Sequence, residues 1–553
     1  MKRFPRQVIS KIYGIRSFPR QSIRNFRLPQ LSSYSPRDGR NDNREGRFGP
    51  FALACIATAA LSTGFLIETR DAQAEAPASP RTIRLAEVRK HGANAQQRWV
   101  VKGTKVYDIT DWIPNHPGGE VILRAVGGVI DTYWDIFTIH KKQDVSDILE
   151  QYYIGDLDPQ DLVNGEVPQD HVEDPFKNDP ERDKALIQLS DRPCNAETPL
   201  DSLKTYITPN ETFYVRNHLW VPKLDGKSYK LVIELPDGEE VTYTLDDLKK
   251  RFKEVEIIAT LQCSGNRRSH MTEESRYTNG LQWDIGAISN ATWTGVRLRD
   301  VLDDAGFPAN KEYEGDIKHV QFMGSEAYGA SIPIEKAVCR NGDVLLAHTM
   351  NGQPLPRDHG YPIRALVPGN VAARSVKWLR RITLAEEESQ SQWQQRDYKC
   401  FGPNQSGTDV DWSSAPAIQE VPVQSAIVSL RNIQAGDKVM QVYGMEEDAI
   451  EVMGYAVSGG GRRIVRVDIS ADDGKSWNQA ELLPDEAKGA KAWAWTRWKF
   501  VIPRRLAGRQ FVVKAVDESY NVQPDSYEPH YNFRGNLTSG WHRVAYSKRR
   551  PAV

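Results

Sequence analysis

The chain has 553 residues, of which 39% are apolar and 26% charged, a balance ordinary for a soluble globular protein and a length that calls for several domains. Its net charge of −1 hides a split: residues 1–75 hold 13 Lys/Arg and 6 Asp/Glu, so the remainder is mildly acidic and offers no basic face for nucleic acid. Five cysteines (Cys55, Cys194, Cys263, Cys339 and Cys400), widely spaced and without a CxxC pair, exclude a disulfide framework and a zinc site.

From Met1 to Arg37 basic residues recur with no acidic one among them, and serines are interspersed, which is the composition of a mitochondrial transit peptide. An uncharged apolar run follows at residues 49–67, barely long enough to cross a bilayer. It reads either as a permanent anchor or as a sorting segment cut off near the Ala/Pro/Ser-rich stretch 72–80. No other long apolar run occurs downstream, so residues 1–79 are read as a removable leader. The mature chain is then expected without a membrane span, in the mitochondrial intermembrane space.

The first domain is expected at residues 80–158. Trp99–Val101 and Lys105–Ile109 read as short strands, followed by His116-Pro117-Gly118-Gly119, an apolar helical stretch at Val121–Val126, and the aromatic run ending in His140. Two neutral imidazoles on opposite faces of a haem give a six-coordinate iron that moves single electrons and does no bond chemistry. His116 and His140 are therefore the expected haem iron ligands, with Ile122, Ile136 and Phe137 lining an apolar slot. With Tyr152-Tyr153-Ile154-Gly155-Asp156 after them, these residues resemble cytochrome b5, which implies a b-type haem in a small α+β domain. Lys142 is expected near a haem propionate.

Residues 159–182 are dense in Asp, Glu, Pro and Asn and read as a hinge that repels itself into extension. The middle domain, residues 183–405, mixes strands with helical stretches at Leu245–Phe252 and Arg299–Ala305. A strand at Glu256–Gln262 ends in Cys263-Ser264-Gly265-Asn266-Arg267-Arg268, where a cysteine beside a glycine turn and two arginines suits a metal-binding thiolate. Arg, His, Asn and Lys are concentrated at Phe213–His218, Arg357–Arg364 and Arg374–Trp378, a supply of donors suited to an anionic, phosphate-bearing ligand. Neither GxGxxG nor GxxxxGK occurs in them, which excludes a nucleotide loop there. Residues 406–553 are strand-rich. Val465, Val467 and Ile469 alternate with polar residues, Asp473-Gly474 supplies a hairpin turn, and Phe511–Val516 adds a strand, which together predict a β-sandwich.

Together, Phe213–His218, Leu261–Ser269, Trp283 with Gly286–Ser289, Met350–Gly360, Val376–Leu379 and Arg396–Lys399 resemble the molybdopterin domain of the sulfite oxidase family of eukaryotic molybdenum oxidoreductases. The likeness continues through Ser458–Arg462, Ala492–Trp495 and Tyr520–Pro524. It implies an α+β multidomain fold: a cytochrome b5-like domain, a mixed α+β molybdopterin domain and a C-terminal immunoglobulin-like sandwich through which the chain forms a homodimer. It implies Cys263 as the single protein ligand of molybdenum. Tyr214, Val215, Arg216, Asn217, His218, His359, Arg364, Ser375, Val376 and Lys377 match positions that hold the pterin and its phosphate. Arg216, Arg268, Trp283, Tyr398 and Arg534 match the sulfite or sulfate pocket. The loop 322–329 is shorter than in vertebrate members, and no residue in it aligns with the Asp that contacts the cofactor there. The activity implied is oxidation of sulfite to sulfate, with electrons leaving singly through the haem to cytochrome c. Two other readings are an assimilatory nitrate reductase and a non-enzymatic haem carrier. The first is disfavoured because the haem domain comes first and no flavin extension follows the sandwich, the second because Cys263, Arg216 and Tyr398 are all present.

Overall fold

The computed structural model describes residues 81–547 apart from 114–115, 117–118, 138–139, 141–142, 170–173, 310–314, 407–409, 436–445 and 485–490. The leader 1–79 with its apolar segment, and Lys142, lie outside the described residues. The described residues belong to one compact unit, Pro77–Val553.

The N-terminal domain is a four-stranded sheet ordered Thr82–Ile83, Tyr153–Leu157, Lys105–Asp108, Trp99–Lys102. Alternating apolar side chains place Val101, Val106 and Leu157 on one face, in a core with Ile83, Val88, Trp99 and Val129. Val100, Tyr107, Ile109 and Leu149 pack on the other face, toward the histidine-bearing segments. The expected helix at Val121–Val126 is instead a 3-10 stretch over Gly119–Arg124, followed by an α-helix at Asp131–Ile136.

The acidic segment 159–182 is tied down at both ends rather than extended throughout. Val167 joins the core of the haem domain. Asp179 Oδ1 accepts from the backbone N–H of Val221 at 2.9 Å, and Arg182 forks onto Asp358 at 3.0 Å through both Nε and Nη2. Self-repulsion argues for extension only while the carboxylates lack partners, and Asp179 has Arg182 at 2.9 Å. Phe176 sits between the domains. Its ring lies 6.1 Å from Phe137 of the haem domain and meets Trp220 edge-on at 6.3 Å, while the Arg124 guanidinium stands 4.5 Å over Trp220.

The middle domain rests on two five-stranded sheets. One pairs Glu254–Gln262 with Ile288–Arg297, then Leu345–Met350, which is flanked by Gln353–Pro354 and Arg364–Leu366. The other runs Gly329–Pro333, His319–Gly324, Leu379–Ala385, Lys230–Glu234, Glu240–Thr244. Helices Leu245–Arg251 and Leu298–Asp304 fall where their apolar spacing predicts them. The first begins with a reciprocal capping box between Thr244 and Asp247. A large core between the sheets, with Leu231, Val301, Val320, Leu346 and Ile382 fully buried, holds the strand ends that carry the polar segments in place.

The C-terminal domain is a sandwich of two four-stranded sheets, one built on Gln424–Ile433, Ala449–Val457 and Thr496–Pro503, the other on Ile464–Ser470, Gln510–Asp517 and His542–Ala545. Val467 and Ile469 point inward with Trp498, Phe511 and Val513, as the alternation predicts, but a register shift between Ile464 and Arg466 buries Ile464 and leaves Val465 exposed. Asp473 and Gly474 both take positive φ, 64° and 85°, at the expected turn. Among the described residues no helix is long and apolar enough to cross a membrane.

Candidate cofactor sites

His116 and His140 face one another with ring centroids 6.3 Å apart. Two imidazole nitrogens each about 2 Å from a shared metal, plus the ring radii, set the centroids roughly 6 Å apart. The pair thus spans the gap that a bis-imidazole iron fills. Trp134 stacks on His140 at 4.8 Å and Phe137 meets it edge-on at 5.7 Å. Burial, with His116 alongside, lowers the His140 pKa to about 4, so the ring is neutral and its lone pair available at neutral pH. Ile122 packs against the apolar face, and Ile136 and Phe137 turn toward Phe176 and Trp220.

The second site is a cavity lined by Tyr214, Arg216, Asn217, His218, Cys263, His359, Arg364, Ser375, Val376, Lys377 and Tyr398 among others. Eleven of the residues expected in the catalytic site therefore share one space, although they come from five separate stretches of chain. Val215, Trp283, Arg268 and Arg534 are not among its lining residues. Val215 is buried in the short strand Val215–Arg216 and packs on Cys194, and Trp283 lies behind Cys263 in the same apolar cluster.

Cys263 follows the strand Glu254–Gln262. Its own N–H donates to the Ala287 carbonyl at 2.9 Å, and its carbonyl accepts from Asn266 at 3.0 Å, closing the turn. Arg267 takes φ 65° there, and Gly265 leaves room for Arg268, whose Nη2 lies 2.4 Å from where a Cβ would sit. Arg268 makes three hydrogen bonds. It donates to the carbonyls of Arg534 (2.9 Å) and Leu281 (2.7 Å) and more weakly to Asn536 Oδ1 (3.4 Å). It therefore ties the C-terminal domain to the cysteine turn, assisted by the bond from Leu537 N–H to the Ser264 carbonyl. Arg534 is ion-paired to Asp397, while its buried Nε has no partner.

Electrostatics divide the cavity. Burial pulls Lys377 down to about 7 and Arg364 to about 10, a cost that a bound anion relieves. Lys377 Nζ bonds the Arg216 carbonyl at 3.0 Å, the Asp358 carbonyl at 2.8 Å and Asn217 Oδ1. Arg364 donates to the carbonyls of His359 and Ser375, at 3.1 and 2.9 Å. Burial lowers His359 to about 3 and His218 well below its usual value, so both are neutral. His218 Nε2 shares a 2.8 Å hydrogen bond with the Tyr398 hydroxyl, whose pKa burial raises. The site thus offers one buried thiol, a set of cations short of counter-charge and neutral donors around them, which fits a metal-bearing pterin with its phosphate.

Nine lining residues had no role assigned from the sequence, four of them with hydroxyl or carboxyl side chains. Asp358 stands inside a segment singled out for its basic neighbours. Its carboxylate accepts from Asn217 at 3.0 Å and from Arg182, and although burial opposes ionisation the Arg182 fork holds its pKa below the usual range. Ser264 bonds Asn536 at 2.9 Å, and Tyr328 reaches the Ala373 carbonyl at 3.0 Å. The fourth, Glu326, belongs to the shortened loop, where no pattern marks it.

Comparison with known proteins agrees with this division. Residues 84–158 match the cytochrome b5-like haem/steroid-binding domain, 218–393 the oxidoreductase molybdopterin-binding domain, and 415–549 the molybdenum-cofactor oxidoreductase dimerisation domain. The chain is 46% identical over 477 residues to the sulfite oxidase of Gallus gallus, covering 85% of this chain and 100% of that protein. Against the mitochondrial sulfite oxidase of Homo sapiens it is 46% identical over 469 residues, 83% of each chain. The NAD(P)H nitrate reductase of Hordeum vulgare is 35% identical over 391 residues, covering 67% of this chain but 43% of that one. Among solved structures, the sulfane dehydrogenase SoxCD of Paracoccus pantotrophus superposes with a TM-score of 0.51 at 25% identity, covering 66% of this chain and 86% of that one. The chain belongs to the sulfite oxidase family: a molybdenum-dependent oxidoreductase with a cytochrome b5-type haem domain in front and a dimerisation domain behind.

Proposed function

We propose that this protein oxidises sulfite to sulfate and passes the electrons singly, through its haem, to cytochrome c in the mitochondrial intermembrane space, working as a homodimer. The observation that carries the reading is the single cavity in which the Cys263 thiol, Arg216 and the Tyr398–His218 pair meet. When bound, the molybdenum centre on Cys263 supplies the two-electron oxidation and the haem between His116 and His140 the one-electron relay.

The chain's own groups prepare the substrate. Arg216, anchored by Nη1 to Asn195 at 3.0 Å and to the Asn217 carbonyl at 2.6 Å, is a fixed cation in a desolvated wall. An oxyanion gains more there than beside a mobile surface arginine, because the donors need no reorganisation. Arg534 does not line the cavity, but its charge reaches Tyr398 and His218 from the C-terminal domain. Arg268, which bonds the Arg534 carbonyl and Asn536 of that domain, and Trp283, in the apolar cluster that holds Cys263, act as positioning residues for the oxyanion pocket. Tyr398 keeps its proton at neutral pH, so its hydroxyl donates to the oxyanion while neutral His218 holds the other side of that oxygen. Tyr214, Asn217, His359, Arg364, Ser375, Val376 and Lys377 hold the pterin and its phosphate.

The electron exit has a structural counterpart. The haem-ligand side of the N-terminal domain packs through Phe137 on Phe176, and Phe176 on Trp220, two residues beyond His218. The test is a steady-state assay of sulfite-dependent cytochrome c reduction, contrasted with nitrate and reduced viologen. Sulfite turnover with reduced cytochrome c as product supports the reading. Viologen oxidation by nitrate with no response to sulfite sinks it.

A further inference from the structure

The acidic hinge 159–182 ends in a strap laid across two of the segments that build the pterin wall. Its last residue, Arg182, forks onto Asp358, Nε to Oδ2 and Nη2 to Oδ1, both at 3.0 Å, and Nη2 also reaches Asp179 Oδ2 at 2.9 Å. The Arg182 and Asp358 side chains are only 17% and 9% exposed, which separates this pair from the solvent-screened bridges of the surface. Asp179 Oδ1 accepts from the Val221 N–H at 2.9 Å, and Arg357 donates to the carbonyls of Asn178 and Val221 at 2.8 and 3.1 Å. The strap is therefore fastened to 217–221 on one side and to 357–358 on the other.

Asp358 places a carboxylate in a cavity whose wall also holds Arg216, Arg364 and Lys377. Without a counter-charge it would repel an anionic ligand and lose its hydration with nothing in return. Arg182 balances it from outside, since Arg182 is not a lining residue. With its charge balanced, Asp358 Oδ1 accepts from Asn217 Nδ2 at 3.0 Å. That bond fixes the amide, so Asn217 Oδ1 is left to accept from Lys377 Nζ, which also donates to the Asp358 carbonyl at 2.8 Å. One line of bonds thus runs from the hinge to two side chains assigned to the pterin and its phosphate.

We propose that Arg182, a residue of the interdomain hinge, is a positioning residue of the pterin wall, so that seating the cofactor and fastening the hinge are one coupled event. The Phe176 carbonyl accepts from the Asp179 N–H at 2.9 Å, and the Phe176 ring packs on Phe137, so the coupling extends to the point where the haem domain is attached. This rests on the cofactor assignment above, and the experiment separates the two. The full-length chain is purified with cofactor and also from a host unable to synthesise molybdopterin. Amide hydrogen exchange of 176–182 and 217–222 is followed in both forms. Pterin is measured by fluorescence after oxidative release, normalised to haem, in the wild type, Arg182→Gln, Arg182→Lys, Asp358→Asn and the double variant Arg182→Gln with Asp358→Asn.

In the wild-type chain the strap should exchange roughly tenfold more slowly with cofactor than without, because a coupling that acts on the cofactor acts equally on the strap. Arg182→Gln should retain roughly tenfold less pterin per haem. Arg182→Lys should fall in between, since an ammonium keeps the charge but not the fork. Adding Arg182→Gln to Asp358→Asn should cost no pterin beyond the loss in Asp358→Asn alone, because a neutral amide needs no counter-charge. Equal exchange with and without cofactor, wild-type pterin content in Arg182→Gln, or losses that multiply in the double variant overturn the proposal. Absence of pterin from the wild-type chain faults the cofactor assignment itself, and the proposal with it.

Discussion

The haem pocket draws both its histidines from a stretch of 25 residues, whereas the pterin cavity gathers side chains from Phe213 to Tyr398 and leans on Arg534 beyond them. The first is a module closed by its own sheet and aromatic lining, so damage there stays local. The second depends on contacts far apart in sequence, including the bonds of Arg268 and Ser264 to the C-terminal segment. Replacements in the haem domain should therefore spare the catalytic cavity, while replacements around Cys263 should stop the chemistry and leave the haem intact.

The sharpest break of that comparison is Cys263→Ser. It should abolish sulfite turnover with any acceptor, lower molybdenum content, and leave the haem absorption spectrum unchanged, because among the described residues Cys263 and the haem-domain core belong to separate apolar clusters. Residual turnover above a few per cent would remove Cys263 from the metal. Next in size, Arg216→Gln takes a fixed cation from the wall. It should raise KM for sulfite and lower kcat together, with a combined loss on the order of a hundredfold in kcat/KM. Unchanged sulfite kinetics would place the oxyanion elsewhere.

The same contrast explains what could be read from the residues alone. The His116–His140 spacing and the apolar period of Leu245–Arg251 are local signals, and local structure follows them, whereas the alternation in Ile464–Ser470 breaks at Val465, where the pairing register shifts. The polar segments at 213–218, 357–364 and 374–378 could be recognised as unusual, but nothing local says that they converge. Only the resemblance to a family brings them together. Asp358 was masked by its basic neighbours although it holds Asn217 and Arg182 at once. Arg182 itself lay in a stretch whose composition argues for a loose hinge, because composition reports charge density and not the partner waiting on the folded surface. Glu326 carries no signal at all outside the three-dimensional fold.

Trp220→Ala tests the seam between the two regions. Removing the ring should loosen the packing of Phe176 and of Arg124 against it while leaving both cofactor pockets lined as before. Sulfite-dependent reduction of a small artificial acceptor should be unchanged, and reduction of cytochrome c should slow severalfold, the haem and pterin contents staying at wild-type levels. Equal slowing with both acceptors would show that Trp220 serves the catalytic cavity through His218 rather than the exit.

The smallest effect concerns acid, and it discriminates between the regions by where protonation strikes. His359 beside the pterin pocket and His530 in the C-terminal domain are held neutral by burial, with pKa values lowered to about 3 and about 4. In the unfolded chain both bind a proton near pH 6.5. Below that pH the unfolded state therefore holds more protons than the folded one, and stability falls as the solution is acidified from about 6.5 toward 4. Each histidine contributes on the order of 3 kcal/mol to that loss. Asp358 adds a further loss below about pH 4, where the Arg182 pairing that keeps its pKa low ceases to favour the folded state. Thermal melting of the catalytic and C-terminal domains, followed by tryptophan fluorescence between pH 7 and 4, should drop progressively across this window. Replacing His530 by Gln should flatten the upper part of the decline. A melting temperature level from pH 7 to 5 in the wild-type chain would mean that these rings are not neutral in the folded protein.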